Sequence, residues 1–339
     1  MREGKAGDGT VPRRWPVRRR LVRRRLVRGR LADLVAMTAV LAVLAGIAAG
    51  AAGLTASLLA GHRAPTAGRQ LPAGVTELTA QPGTVSLPAP VRCRGCWLPH
   101  RKESWQIQLS SAPSRPYPDV QMIEVDGFDT PSATVAALHR ARRGTGVVCY
   151  IDAGTWENWR PDAKEFPRDL LGKKDGSWAG ERWLDIARFH GALGKIMRAR
   201  AAMCKAKGFN AIDFDNVDGY ANDTGFKLTA ADQLRYDVFL ANTAHRLGES
   251  VALKNDLAQI PVLLRYFDFA VDEQCFQYHE CLSSQNGGFG LDEFTRVHKA
   301  VFEIEYKLKR DQFCPAAIRD RFNALRKRLS LGAWREPCR

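Results

Sequence analysis

The first 92 residues contain no cysteine, the first 30 hold only two acids, Glu3 and Asp8, and nothing between Leu34 and Ala60 is charged. No two of the seven histidines stand four residues apart, which removes the helical zinc-binding pair. Cys93-Arg94-Gly95-Cys96 has no second Cys-x-x-Cys to complete a zinc site. No metal or other cofactor is therefore expected. The net charge of +15 points to nucleic acid until it is located. Twelve Lys and Arg against the two acids put +10 of it before residue 31, so the remaining 309 residues carry only +5. No nucleic-acid motif accompanies the arginines, and no nucleic-acid partner is expected.

What the tail does contain fits targeting. Residues 1–30 are rich in arginine, and residues 31–60 form an apolar stretch long enough to span a bilayer, for which about 20 residues suffice. Arginines ahead of such a stretch stay inside, so the rest of the chain is delivered to the outer face. The stretch reads as a transmembrane signal anchor, with the membrane as partner, although the small residues before Gly61 also fit cleavage and secretion. Residues 61–92 carry Pro, Gly, Ala and Thr without a period and read as a flexible linker. The folded domain is then 93–339. Its eight cysteines suit disulfides in an oxidising compartment. Cys275 and Cys281 are placed to close a short loop, and Cys338 is expected to tie the C-terminus back to Cys93 or Cys96.

Short apolar runs recur at 105–109, 122–125, 147–151, 211–214, 250–253, 269–271, 299–304 and, weakly, 328–331, with helical patterns at 131–143, 193–207, 229–247 and 257–266 between them. Eight strands alternating with helices predict an α/β fold, a (β/α)8 TIM barrel, with an open doubly wound sheet as the alternative. In the stretch 211–220, Ile212 and Phe214 alternate with Asp213 and Asp215, so the carboxylates share one face. An EF-hand loop is excluded because its fifth position would be Val217. A barrel builds its site at the C-terminal strand ends. Here those ends carry Asp126 and Asp129, then Asp152, then Asp213, Asp215 and Asp218, then Lys254, Asn255 and Asp256, then Asp272 and Glu273, then Glu303 and Glu305. Interleaved aromatics include Trp105, Phe128, Tyr150, Tyr220 and Tyr306. An acidic, ring-lined mouth suits a cationic sugar polymer.

The motifs Val125-Asp126-Gly127-Phe128-Asp129-Thr130, Cys149-Tyr150-Ile151-Asp152-Ala153-Gly154, Asp215-Asn216-Val217-Asp218-Gly219-Tyr220, Leu253-Lys254-Asn255-Asp256 and Glu273-Gln274-Cys275 stand in an order that resembles glycoside hydrolase family 114, the endo-α-1,4-polygalactosaminidases. The resemblance runs from about Trp105 to Cys338. It implies a (β/α)8 barrel that hydrolyses α-1,4-linked galactosamine in exopolysaccharide, with catalytic carboxylates at Asp215 and Glu273. Asp213 stands where the family often has Glu, and Asp272 where it usually has Asn.

Glycosidic cleavage needs one carboxyl to protonate the leaving oxygen and another to attack or stabilise the anomeric carbon. Asp215 is expected as nucleophile or charge stabiliser, kept ionised by Asn216 and Lys254, and Glu273 as general acid/base. Asp126, Asp152, Asp218 and Asp256 are expected to bind the sugar's amine or hydroxyls, with Tyr150 and Tyr220 as stacking surfaces. The same mouth on a polysaccharide-binding protein without turnover is the alternative.

Overall fold

Period-two alternation sorts the strand side chains into two layers. On the strand Ala211–Asp215, Ile212 and Phe214 join one apolar cluster and Ala211 the other. The first cluster lies between the sheet and its helices. The second, with Trp105, Tyr150, Phe269 and Phe302, fills the inside of a curled sheet. The computed structural model describes residues 85–176 and 178–339. The expected anchor and most of the linker lie outside those residues. Among the described residues, no helix is long and apolar enough to cross a membrane.

Chain order runs β1 (Trp105–Gln108), β2 (Met122–Asp126), α1 (Ser132–Ala141), β3 (Gly146–Asp152), β4 (Thr155–Glu157), β5 (Leu171–Lys174), β6 (Glu181–Leu184), α2 (Ala192–Lys207), β7 (Ala211–Asp215), α3 (Ala230–Arg246), β8 (Ser250–Lys254), α4 (Ile260–Leu263), β9 (Phe269–Glu273), α5 (Cys275–Tyr278), α6 (Asp292–Arg296), β10 (Val301–Glu305), α7 (Arg310–Arg319), β11 (Asn323–Arg326) and β12 (Glu336–Pro337). Sheet order is β1-β2-β3-β7-β8-β9-β10-β11, all parallel, with β12 antiparallel on the end. Strands laid down in sequence, without the reversal of a doubly wound sheet, make the architecture an α/β barrel-like one. Local signals set several boundaries. Thr229 and Asp232 form a capping box that opens α3, and Gly208, at φ +89°, ends α2.

Three expectations need correction. The eighth strand is β11, not 328–331, which is a turn and loop: Leu331 hands its carbonyl to Leu109 N at 2.9 Å and Ser110 N at 3.4 Å. Those contacts belong to a seam, because β11 and β1 share no ladder among the described residues. Side chains close it instead, Gln106 Nε2 donating to Ala333 O, Lys327 Nζ to Gln106 Oε1 and Arg335 to Trp105 O. The second correction is the insertion: β4, β5 and β6 form a separate antiparallel sheet after β3, in a stretch with no clean alternation. Third, Cys338 pairs with Cys314 rather than Cys93 or Cys96, which pair with one another. The reason is local, since Cys338 N bonds Ala324 O on β11, the strand that follows the helix carrying Cys314. Cys275 bridges Cys281 as expected, and Cys149 bridges Cys204, pinning β3 to α2.

Segment 85–104 packs under the barrel. Trp97 lies edge-on to Phe269 at the start of β9, and its ring fills the space a Cβ on Gly146, at the start of β3, would need. Nearby, Val91 N and Ala89 O bond Asn242 on α3, and Pro88 O accepts from Tyr266.

Candidate active site

Asp215, Lys254 and Glu273 are the last residues of three adjacent strands, β7, β8 and β9, so the chain delivers them to the same end of the barrel. Lys254 Nζ lies 3.5 Å from Asp215 Oδ1 and 3.1 Å from Glu273 Oε2. One ammonium therefore spans both carboxylates, and those two oxygens are no farther apart than the two contacts laid end to end. Asp215 is held further by Asn216 N, donating to Oδ1 at 2.8 Å, and by Tyr150 OH, donating to Oδ2 at 2.7 Å. Glu273 Oε1 accepts from Tyr306 OH, and its backbone N donates to Asn255 Oδ1. Glu273 is the more open of the two acids, its side chain 9% exposed against 3% for Asp215.

The backbone just past each strand is unusual. Asn216, Asn255, Asp256 and Gln274 have φ of 66°, 53°, 44° and 67°, a left-handed region that costs a non-glycine residue of order 1 kcal/mol or more. Four such residues following the three acid- and amine-bearing strands fix where those side chains emerge. Gly154 completes the frame: a Cβ there would meet Asn216 O at 1.8 Å, and its N–H, with that of Ala153, donates to Asp215 O. No other residue fits.

The remaining expected site residues divide by what holds them. Asp126 faces Arg160, which grips both its oxygens at 2.9 and 2.7 Å, while Phe128 N and Asp129 N also donate to it. Arg160 bonds Glu157 as well and lies over the Phe128 ring, so Asp126 anchors the insertion to the barrel top. Asp152 accepts from Thr155 and from Asn216 Nδ2, which is why the Asn216 side chain reaches Asp152 while only its backbone serves Asp215. Asp256 accepts from Tyr220 OH at 3.0 Å. Burial, reinforced by Asp237 and Asp218, raises Asp256 well above the usual carboxylate range. Burial and the Asp256 charge also push the Tyr220 hydroxyl up. Asp218 is half-buried beside this group. Tyr150 serves Asp215 through its hydroxyl rather than presenting a ring to solvent.

Side-chain parity corrects the expected mouth. Phe302, Ile304 and Tyr306 face inward on β10, so Glu303 and Glu305 face the helices, as does Asp272 beside inward-facing Glu273. Glu303 Oε1 accepts from Cys275 N, and Glu305 Oε1 accepts from Phe276 N and Gln277 N, capping α5. The charges of Asp272 and Glu305 beside Glu303 add to burial in raising it. Tyr306, one residue past β10, reaches the site; its period-two spacing from Phe302 is the signal that could have assigned it.

The acid ladder behind β9 and β10 makes stability depend on pH. Burial raises Asp272 to about 8 against the pull of Lys254, raises Glu305 to about 7, and raises Glu303 well above its ordinary value. These groups hold protons when folded and lose them near pH 4 when unfolded, so their contribution is full below that and is lost as pH rises through 7 to 8. The melting temperature is expected to fall by on the order of 10 °C between about pH 5 and about pH 8.5, since each pKa unit corresponds to about 1.4 kcal/mol. Glu303→Gln should flatten the slope; calorimetry across that range checks both.

Two carboxylate groups could offer ligands to a cation. Asp152, Glu157 and Glu181 come together at the root of the insertion. Asp272, Cys275 and Glu303 also converge, but Cys275 is committed to its disulfide and cannot supply a thiolate.

The sequence profile of glycoside hydrolase family GH114 matches residues 88–339. The chain belongs to family GH114. It is accordingly a glycosidase, and the curled parallel sheet agrees with the solved structures it resembles. That of Aspergillus fumigatus Ega3 in complex with galactosamine is 35% identical, with a TM-score of 0.67, covering 74% of this chain and 100% of that one. The glycoside hydrolase domain of PelA from Pseudomonas aeruginosa shares the fold at 13% identity and a TM-score of 0.51, covering 69% and 97%. No curated protein sequence matches. Within this GH114 glycosidase, the catalytic dyad suggested by the motifs is thus the pair that Lys254 bridges.

Proposed function

We propose that this glycosidase cleaves α-1,4-linked galactosamine polymers of exopolysaccharide outside the cytoplasm, with Asp215 and Glu273 as the two carboxylates. The observation that carries the reading is the single ammonium of Lys254 in contact with both acids at the barrel end. The likeness to a structure that holds galactosamine supports the sugar, and four disulfides support an oxidising compartment. Residues 31–60 as anchor or cleaved signal complete that proposal.

Glycosidases that retain configuration space their carboxyls roughly 5–5.5 Å apart, and those that invert roughly 6.5–9.5 Å. Two acids bridged by one ammonium fit the shorter spacing. Glu273 gives its proton to the leaving oxygen as the C–O bond breaks, and Asp215 forms an ester to the anomeric carbon. Glu273 then takes a proton from water, whose oxygen displaces Asp215 and restores both carboxyls. Tyr150 and Asn216 N hold Asp215 for attack, and Asp218, half-buried at the rim, takes the sugar's ammonium.

Product analysis on a defined α-1,4-galactosamine oligomer tests this. Shorter oligomers released with the α configuration are expected. Binding without release would leave a polysaccharide-binding protein instead, and β-configured products would replace retention with inversion.

A further inference from the structure

The insertion has an outer face that the reaction above does not use. On β4, Thr155 and Glu157 are buried and Trp156 points the other way; on β6, Glu181 and Trp183 are buried, and Arg182, the register partner of Trp156, joins it on the outer side. A recess of about 660 Å³ opens there. Trp156 and buried Phe166 supply apolar walls, Lys164, Arg168 and Arg182 supply three cations, and no acid lines it. The Trp156 ring is fixed, because its indole N–H is donated to Ala163 O at 2.9 Å. Arg182 is fixed as well, with Nε donating to Gly172 O at 2.8 Å and Nη2 to Leu171 O at 3.0 Å, and these neutral acceptors leave its charge unopposed. Lys164 and Arg168 are exposed, and their side chains have no hydrogen-bond or ion-pair partner among the described residues. The acids beside them in sequence are occupied elsewhere, Asp162 by Arg200 and Asp169 by Arg188, and Glu165 does not line the recess.

We infer that this recess is an accessory site for an acidic saccharide, a uronic-acid-bearing glycan whose ring lies on Trp156 and whose carboxylates are held by Lys164, Arg168 and Arg182. Three unopposed cations around a concavity gather anions, and a guanidinium offers paired donors that match the two oxygens of a carboxylate. The indole adds a flat apolar surface of the kind that covers the apolar face of a sugar. Like charge keeps a cationic polymer out, so the site is separate from the catalytic mouth in ligand as well as in place. The choice of a glycan over an acidic peptide rests on the galactosamine reading: a cationic polymer gathers acidic chains by charge, and the insertion, which follows β3, stands at the same barrel end as Asp215.

Calorimetric titration of the full-length protein with a galacturonic acid trimer, in about 0.15 M salt to screen diffuse attraction, tests the site. Lys164→Glu/Arg168→Glu is expected to weaken binding by about tenfold or more, the scale of one lost charge-assisted hydrogen bond. Trp156→Leu should weaken it by a smaller factor, and the neutral galactose trimer should not bind. Both reversed charges are exposed, so the melting temperature of the double variant should stay within about 2 °C of wild type. The arginines of residues 1–30 are common to every variant and cancel in the comparison. Equal affinity in wild type and double variant, or no binding to wild type, would overturn the site. Inorganic phosphate or hexaglutamate bound as tightly as the trimer would overturn the saccharide. Titration needs no turnover, so a wild type that fails to cleave galactosamine oligomers removes the substrate reading while binding still decides the recess.

Discussion

Asp215→Asn and Glu273→Gln are each expected to lower kcat on galactosamine oligomers by about 10⁴-fold, the scale seen when a nucleophile or a positioned acid is removed. The two losses should differ in kind. An amide at 215 has one acceptor oxygen where the carboxylate uses two, for Asn216 N and Tyr150 OH, and it cannot form the ester, so the loss holds at every pH. An amide at 273 cannot protonate the leaving oxygen, but a substrate with an activated leaving group does not need that proton, and much of the rate should return on an aryl galactosaminide. Because the residues act as one unit, the double variant should be scarcely worse than either single one. Additive losses would mean that the two carboxyls do not serve one bond.

Lys254→Met carries the second large effect. Lys254 is 2% exposed and faces two carboxylates whose side chains are themselves 3% and 9% exposed. Removing one partner from a buried ion cluster leaves uncompensated charge and typically costs about 3–5 kcal/mol. Urea denaturation at neutral pH should show a loss of that order, with most of it recovered in Lys254→Met/Asp215→Asn, where one of the stranded charges is gone. Activity of the single variant should fall as well, since the ammonium no longer draws the acids together. A Lys254→Met protein of wild-type stability would show that the bridge is not a source of cohesion.

The parallel strands and the two catalytic candidates were legible because each has a local signal: alternation on 211–215, and short polar motifs after β7, β8 and β9. The direction of the acids was not. Asp272 and Glu273 are neighbours in sequence, yet the pleat sends one to the helices and the other to the inside of the barrel, and a motif that names both does not say which is which. The insertion was not legible because β4 and β6 bury Thr155, Glu157 and Glu181 alongside Trp183 and Leu184, and β5 buries no residue fully, so no clean alternation marks the three strands. β11 was misplaced because Asn323-Ala324-Leu325-Arg326 is too short and too polar to stand out, while the Leu-rich stretch after it drew the assignment. The partner of Cys338 depended on that same strand. Tyr306 was visible as an aromatic, but its partner Glu273 lies 33 residues earlier on β9, and only the pleat of the two strands turns both to the same face.

The segment ending in Trp97 enters the fold at the N-terminal ends of the strands, whereas Asp215 and Glu273 lie at their C-terminal ends. A tether or solid support attached ahead of residue 85 therefore leaves from the back of the enzyme. Beads coupled through that end should digest long polymer as readily as the free protein does, while coupling through the insertion would obstruct it.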